Sequence, residues 1–254
     1  ANTEYLSIAD NASLSTGDID FTLAAWAYLD SKDNSMGIAM KYTTGGDQRE
    51  YGIGYATGTD RFQFQISSDG QSGGAVNESA DVLGAVSTGT WYCVIVKHDA
   101  AGNTVSIKVN DGTADSRAHS AGVFDGTSPF HVGARGDASV PFDGRVGPVV
   151  LWKKTTTDAE DTWFYNLGDG RAYRDLGRTG DGSALLTSLE AYWELDEESG
   201  TRVDSHGSND LTDNNTVLAE DGIHNRLVWS GRLDKIIPAA KVGDWVYFSK
   251  TKVT

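Results

Sequence analysis

Three carboxylates alternate near the end of this 254-residue chain, Glu194, Asp196 and Glu198, within YWELDEESGTRVDSHGSNDLTDNN. On a strand, alternate residues share one face and stand about 6.6 Å apart. Paired carboxyls about 5–5.5 Å apart across a bond can run a retaining glycosidic hydrolysis, one attacking and the other exchanging a proton. The turn-forming Glu198-Ser199-Gly200 argues against that use, since it carries the strip off the end of its strand. Glu197 reads as a hydrogen-bonding residue of the turn.

Other chemistry is sparse. The five histidines, His98, His119, His131, His206 and His224, show no spacing that suits zinc. His131 lies in a strand run and reads as a packed, hydrogen-bonded side chain. The one cysteine, Cys93, sits in the apolar run WYCVIV and reads as a buried, inert thiol. Neither a Ser/His/Asp arrangement nor a phosphate-cradling GK[ST] loop is present. SDGQSGGAVN (68–77) is glycine-rich but leads into no helix, and reads as a flexible connection.

The elements that must position these residues are strands. Runs of β-branched and aromatic residues alternate with Gly/Asp/Asn/Ser turns. The spacing predicts strands over 5–8, 21–29, 37–42, 51–55, 61–67, 91–98, 105–110, 130–133, 145–152, 189–195, 227–229 and 245–249. In RFQFQIS, Phe62, Phe64 and Ile66 share one face and Gln63 and Gln65 the other, a strand with one dry and one wet side. WYCVIVKHDAAGNTVSIKVNDG reads as a hairpin turning at Asp99–Asn103. Such strands joined by short turns form an antiparallel sandwich or barrel. One short helix is expected in TTTDAEDTWFYNLGDG, capped by Thr157 or Asp158 and ended by Gly168.

Composition narrows the partners. A formal charge of −15 without a Lys/Arg cluster repels a phosphate backbone, so nucleic acid is excluded as an expected partner. No apolar stretch reaches the roughly 18–20 residues of a membrane span. ANTEYLSIAD lacks the basic and apolar regions of a secretory signal, so an extracellular role implies another route out of the cell.

Three segments then point to a family. They are EYLSIADNASLSTGDIDFTLAAWAYLD, TGTWYCVIVKHDAAGNTVSIKVNDG and PFHVGARGDASVPFDGRVGPVVLWKKTTTDAEDTWFYNLGDG. Together they resemble the laminin-G-like, concanavalin A-like jelly-roll family over most of residues 1–173. The resemblance implies an all-β, antiparallel two-sheet sandwich with one short helix. The Tyr192–Asn215 stretch is similar to the family's first strand and turn, which normally precede EYLSIADN, so the order looks circularly permuted. A sandwich lacking that strand has an open edge. The missing piece can come from the same chain or, by strand exchange, from a neighbour.

The resemblance also implies site residues. Glucanase relatives of the fold use an E-x-D-x-E strip, which would make Glu194 the nucleophile and Glu198 the acid/base. Members with a structural calcium hold it near the first-strand turn, which maps to Asp204 and Asn209, with Asp143 as a third oxygen donor. Val146-Gly147-Pro148-Val149 departs from the family pattern there and removes one carboxylate.

The expected organisation is a single jelly-roll domain over 1–230. Within it, 174–188 forms a linker and 189–230 a closing segment, and 231–254 adds an extra strand or assembly arm. The expected function is non-catalytic: a structural or binding component of a virion or cell surface, self-associating or joined to other structural subunits. A carbohydrate-binding lectin-like module is the alternative, and a glucanase using Glu194 and Glu198 the minor one.

Overall fold

The structure, a computed structural model, describes residues 4–177 and 181–218. Thirteen strands in the described residues form two antiparallel sheets. The strands are β1 (Tyr5–Ile8), β2 (Phe21–Leu29), β3 (Met36–Thr43), β4 (Gln48–Ala56), β5 (Arg61–Ser67), β6 (Ala75–Ser79) and β7 (Trp91–Asp99). They continue with β8 (Thr104–Val109), β9 (Asp115–Ala118), β10 (Phe130–Val132), β11 (Gly144–Trp152), β12 (Leu189–Trp193) and β13 (Thr212–Asn214). One sheet runs β13-β1-β10-β3-β4-β5-β6 and the other β12-β11-β2-β7-β8-β9.

Side-chain alternation explains the packing. Phe62, Phe64 and Ile66 of β5 are fully buried and face Phe21, Leu23, Ala25, Ala27 and Leu29 of β2 across the sandwich. The opposite face of β2 is also dry, because Ala24 and Trp26 join a second apolar cluster outside the sheet. The cover of that cluster is the helix α1 (Asp158–Tyr165) and the chain after it. Thr157 caps the helix by accepting from the Glu160 amide (3.2 Å), and Glu160 reaches back to the Thr157 amide (2.8 Å). Such a cap stabilises a helix by about 1 kcal/mol. The helix ends at Asn166, whose left-handed backbone (φ 50°) breaks the ladder two residues before Gly168.

Several sequence expectations need correction. The segment expected to be a linker is packed: Leu176 and Leu185 belong to the second cluster, and the Trp152 indole donates to the Leu185 carbonyl (2.7 Å). β6, β9 and β13 are polar edge strands that carry no apolar alternation. β6 begins inside the glycine-rich stretch expected to be a flexible connection. Residues 227–229 and the arm 231–254 lie outside the described residues.

The closing segment supplies one edge strand to each sheet of its own chain. β12 pairs with β11 (Val149↔Trp193, Val150↔Tyr192), and β13 pairs with β1 (Ser7↔Thr212). β12 is buried on both faces. Trp193 stacks on Phe130 in the inter-sheet core (5.2 Å between centroids), while Tyr192 enters the outer cluster. Burying an aromatic side chain of this size contributes up to about 5 kcal/mol.

Candidate functional site

The carboxylate strip does not form. β12 ends at Trp193, and Leu195 has a left-handed backbone (φ 58°), so the alternation that would align Glu194 with Glu198 is broken. Glu194 accepts a hydrogen bond from the Tyr173 amide (2.8 Å), and burial raises its pKa. Glu198 is exposed in the following turn. Glu197 accepts from the Val203 amide (2.6 Å), as expected of a turn residue.

Asp204 and Asn209 do meet, but as hydrogen-bonding partners. Asp204 Oδ1 accepts from the amides of Tyr192 (2.9 Å) and His206 (3.0 Å). Its Oδ2 accepts from the Asn209 amide (3.1 Å) and Asn209 Nδ2 (3.3 Å). Asn209 Oδ1 accepts from the Ser13 hydroxyl (2.6 Å), and the Asn209 carbonyl takes the Trp193 indole N–H (2.6 Å). Asp143 stands elsewhere, at the foot of β11, where its carbonyl takes the Asp30 amide (3.0 Å). Calcium needs six to eight oxygens with free lone pairs. Four N–H donors already face the two Asp204 oxygens, so these residues do not fit the ion. They lock the closing segment to the loop after β1.

The polar group that no sequence pattern announced lies beside the β3–β4 ladder. The two strands pair as Lys41↔Tyr51 and then Tyr42↔Arg49, which leaves Glu50 as an extra residue, a β-bulge. Bulges re-aim side chains. Here the bulge turns Glu50 inward against Lys41, and both side chains are fully buried. Their ion pair is joined by Asp10, whose Oδ1 lies 2.8 Å from the Lys41 ammonium, and by the Gly126 carbonyl at 3.2 Å. Burial pushes the Glu50 carboxyl up to about 8, outweighing the pull of Lys41.

Above this cluster opens a cleft of about 450 Å³ lined by Asp10, Ala12, Ser15, Thr16, Gly17, Asp125, Gly126 and Thr127. Each wall is anchored. The Tyr51 hydroxyl donates to the Leu14 carbonyl (2.7 Å), and Asn11 Oδ1 accepts from the amides of Ser13 (3.0 Å) and Leu14 (3.3 Å). On the other wall Gln48 Oε1 accepts from the Thr127 amide (2.7 Å). Gly126 suits that close approach, because a Cβ there would stand 2.6 Å from the Phe124 ring and 2.7 Å from Gln48 Oε1. Of the buried side-chain atoms without hydrogen-bond partners among the described residues, two belong here: the hydroxyl of Thr16, a residue lining the cleft, and Glu50 Oε2 in the cluster behind it. An unmade buried hydrogen bond costs about 1–3 kcal/mol, so at Thr16, in the cleft wall, an incoming polar group gains.

The cleft's aligned hydroxyls and carboxylates suit a ligand rich in hydroxyl groups. Sequence reading missed Lys41 and Glu50. The one available signal was a lysine standing inside the otherwise apolar MGIAMKY run.

Comparison with known proteins agrees with the fold. No curated protein matches the chain. A candidate carbohydrate binding protein from Bacteroides ovatus superposes with a TM-score of 0.56 at 17% identity, covering 86% of this chain. The chain spans 60% of that protein's length. The CBM40 of the Ruminococcus gnavus IT-sialidase, bound to alpha2,3 sialyllactose, gives 0.46 at 13% identity over 62% of this chain and 92% of its own. Mouse laminin alpha1 domains LG4-5 give 0.43 at 16% identity, covering 59% of this chain and 41% of theirs. The profile of the concanavalin A-like lectin/glucanases superfamily matches residues 1–160, more than half of the chain. With the two-sheet sandwich in place, the chain belongs to the concanavalin A-like lectin/glucanases superfamily.

Proposed function

We propose that this chain is a non-catalytic carbohydrate-binding module acting outside the cell or at its surface, and that the cleft between 10–17 and 125–127 receives the sugar. The observation that carries this reading is the unpartnered Thr16 hydroxyl, 4% exposed, in a cleft lined by further hydroxyls and carboxylates. A sugar hydroxyl both donates and accepts, and can satisfy the Thr16 hydroxyl while bonding Asp10 or Asp125. No aromatic ring lines the cleft, so recognition rests on hydrogen bonds rather than stacking. The family and the carbohydrate-binding description of the Bacteroides ovatus neighbour support the reading.

The test is a glycan array followed by calorimetry on the hits. The expected result is saturable binding to at least one glycan, weakened by roughly tenfold or more in Thr16→Val through loss of a hydrogen bond at a desolvated site. An array without hits removes the carbohydrate reading. Binding that Thr16→Val leaves intact moves the sugar to another place on the molecule.

A further inference from the structure

The charges around the cleft define which sugar it takes, an inference that rests on the sugar reading above. Two exposed acidic residues, Asp10 and Asp125, line the cleft, and no Lys or Arg stands among its lining residues. The cation beneath it, Lys41, is fully buried. An ammonium has three N–H donors, and that of Lys41 faces three protein oxygens, on Asp10, Glu50 and Gly126. It therefore fixes the two walls and has no donor left for a ligand anion. The hydroxyls of Ser15, Thr16 and Thr127 are neutral and serve any sugar.

A carboxylate or sulfate on the ligand would enter beside Asp125 and beside Asp10, whose one oxygen already meets Lys41, and would find no free cation. An ammonium would find acceptors on Asp125 and on the remaining oxygen of Asp10. The Thr16 hydroxyl, buried and unpartnered in the same cleft, marks the site independently of its charge. We propose that the cleft selects an amino sugar bearing a free ammonium group, a deacetylated hexosamine oligomer, over its N-acetylated form and over acidic sugars.

Calorimetry on the full chain at mildly acidic pH, where the sugar amine is charged, tests this with four tetrasaccharides: glucosamine, N-acetylglucosamine, glucose and galacturonate. The glucosamine oligomer is expected to bind about two- to fivefold tighter than the two neutral ones at low salt, as one exposed ion pair to Asp125 would give. The galacturonate oligomer should bind weakest. High salt should shrink the preference, since exposed charges are screened. Asp125→Asn, which leaves the Lys41 cluster untouched, should reduce the preference while preserving the unfolding temperature. Equal affinity for all four sugars, tighter binding of galacturonate, or an unchanged preference in Asp125→Asn overturns the charge selection and leaves the sugar site standing. Binding of none of these tetrasaccharides, with a positive array elsewhere, overturns the selection alone. Binding of no sugar by either method overturns both.

Discussion

Two lysine–carboxylate clusters among the described residues, one beside the helix and one beside the cleft, differ in how far their carboxylates are bonded. In the helix-side cluster Asp161, 2% exposed, accepts at Oδ1 from the Thr156 hydroxyl (2.6 Å) and at Oδ2 from Lys97 (2.6 Å), with Lys108 at 3.9 Å. Both carboxylate oxygens are bonded. In the cleft-side cluster Glu50 bonds Lys41 through one oxygen and leaves the other unpartnered, next to a cleft where the Thr16 hydroxyl is unpartnered as well. A closed network is an anchor, here tying α1 to the sheet. An open one beside a cleft is where a ligand completes the set. Buried polar groups are high-stakes in either case, because a low dielectric amplifies both the bond made and the bond missing.

The largest expected effect breaks the anchor. Asp161→Ala leaves Lys97 only the Thr156 carbonyl and leaves the buried Lys108 only the more exposed Asp111 and Asp158, and should cost about 3 kcal/mol in urea unfolding. Sugar binding by the remaining folded protein should be unchanged. A cost below about 1 kcal/mol would put Asp161 in the class of solvated surface pairs and erase the contrast.

The next effect is a pH dependence. The folded Glu50 carboxyl keeps its proton to about pH 8, while a carboxyl in its ordinary state loses it near 4.5. Between those limits the folded state binds more protons than the unfolded one, so Glu50's contribution is fully present below 4.5 and lost as pH rises through about 8. The shift, which already includes the pull of Lys41, caps the effect at about 5 kcal/mol. Denaturation series across this range should show Glu50→Gln losing that part of the slope. An identical slope in the variant would mean Glu50 is ionised throughout.

The smallest stability effect should accompany a large functional one. Thr16→Val removes an unsatisfied hydroxyl and should change stability by no more than about 1 kcal/mol, in the stabilising direction. Its effect on glycan affinity is the opposite. A strongly destabilised Thr16→Val protein would show that the hydroxyl has a structural partner and is not waiting for a ligand.

Much of the sandwich was legible because its central strands carry their own pattern. RFQFQIS states its dry and wet sides, and the WYCVIV–VSIKV hairpin states its turn. The edge strands AVNES, DSRA and TDN stayed hidden, since a polar strand differs from a loop only in its ladder partners. The Tyr192–Asn215 stretch was read as a closing piece, and its Trp193 packs on Phe130 in the inter-sheet core. Its second buried face was missed because the helix-side cover comes from residues far away in sequence. The candidate site was the least legible part. In KYTTGGDQRE, Lys41 and Glu50 look like the solvated arms of a hairpin.

By itself the sequence determined antiparallel strands in a sandwich or barrel and the capped helix, since these follow from local periodicity and turn chemistry. The two-sheet form and the closing segment were implied by the family resemblance. Only the tertiary structure decided the cleft. A one-residue bulge turned Glu50 inward, and two loops more than a hundred residues apart placed Asp10 and Gly126 over Lys41. Whether a charge is solvated or enclosed depends on what folds over it, and that partner lies outside any local window.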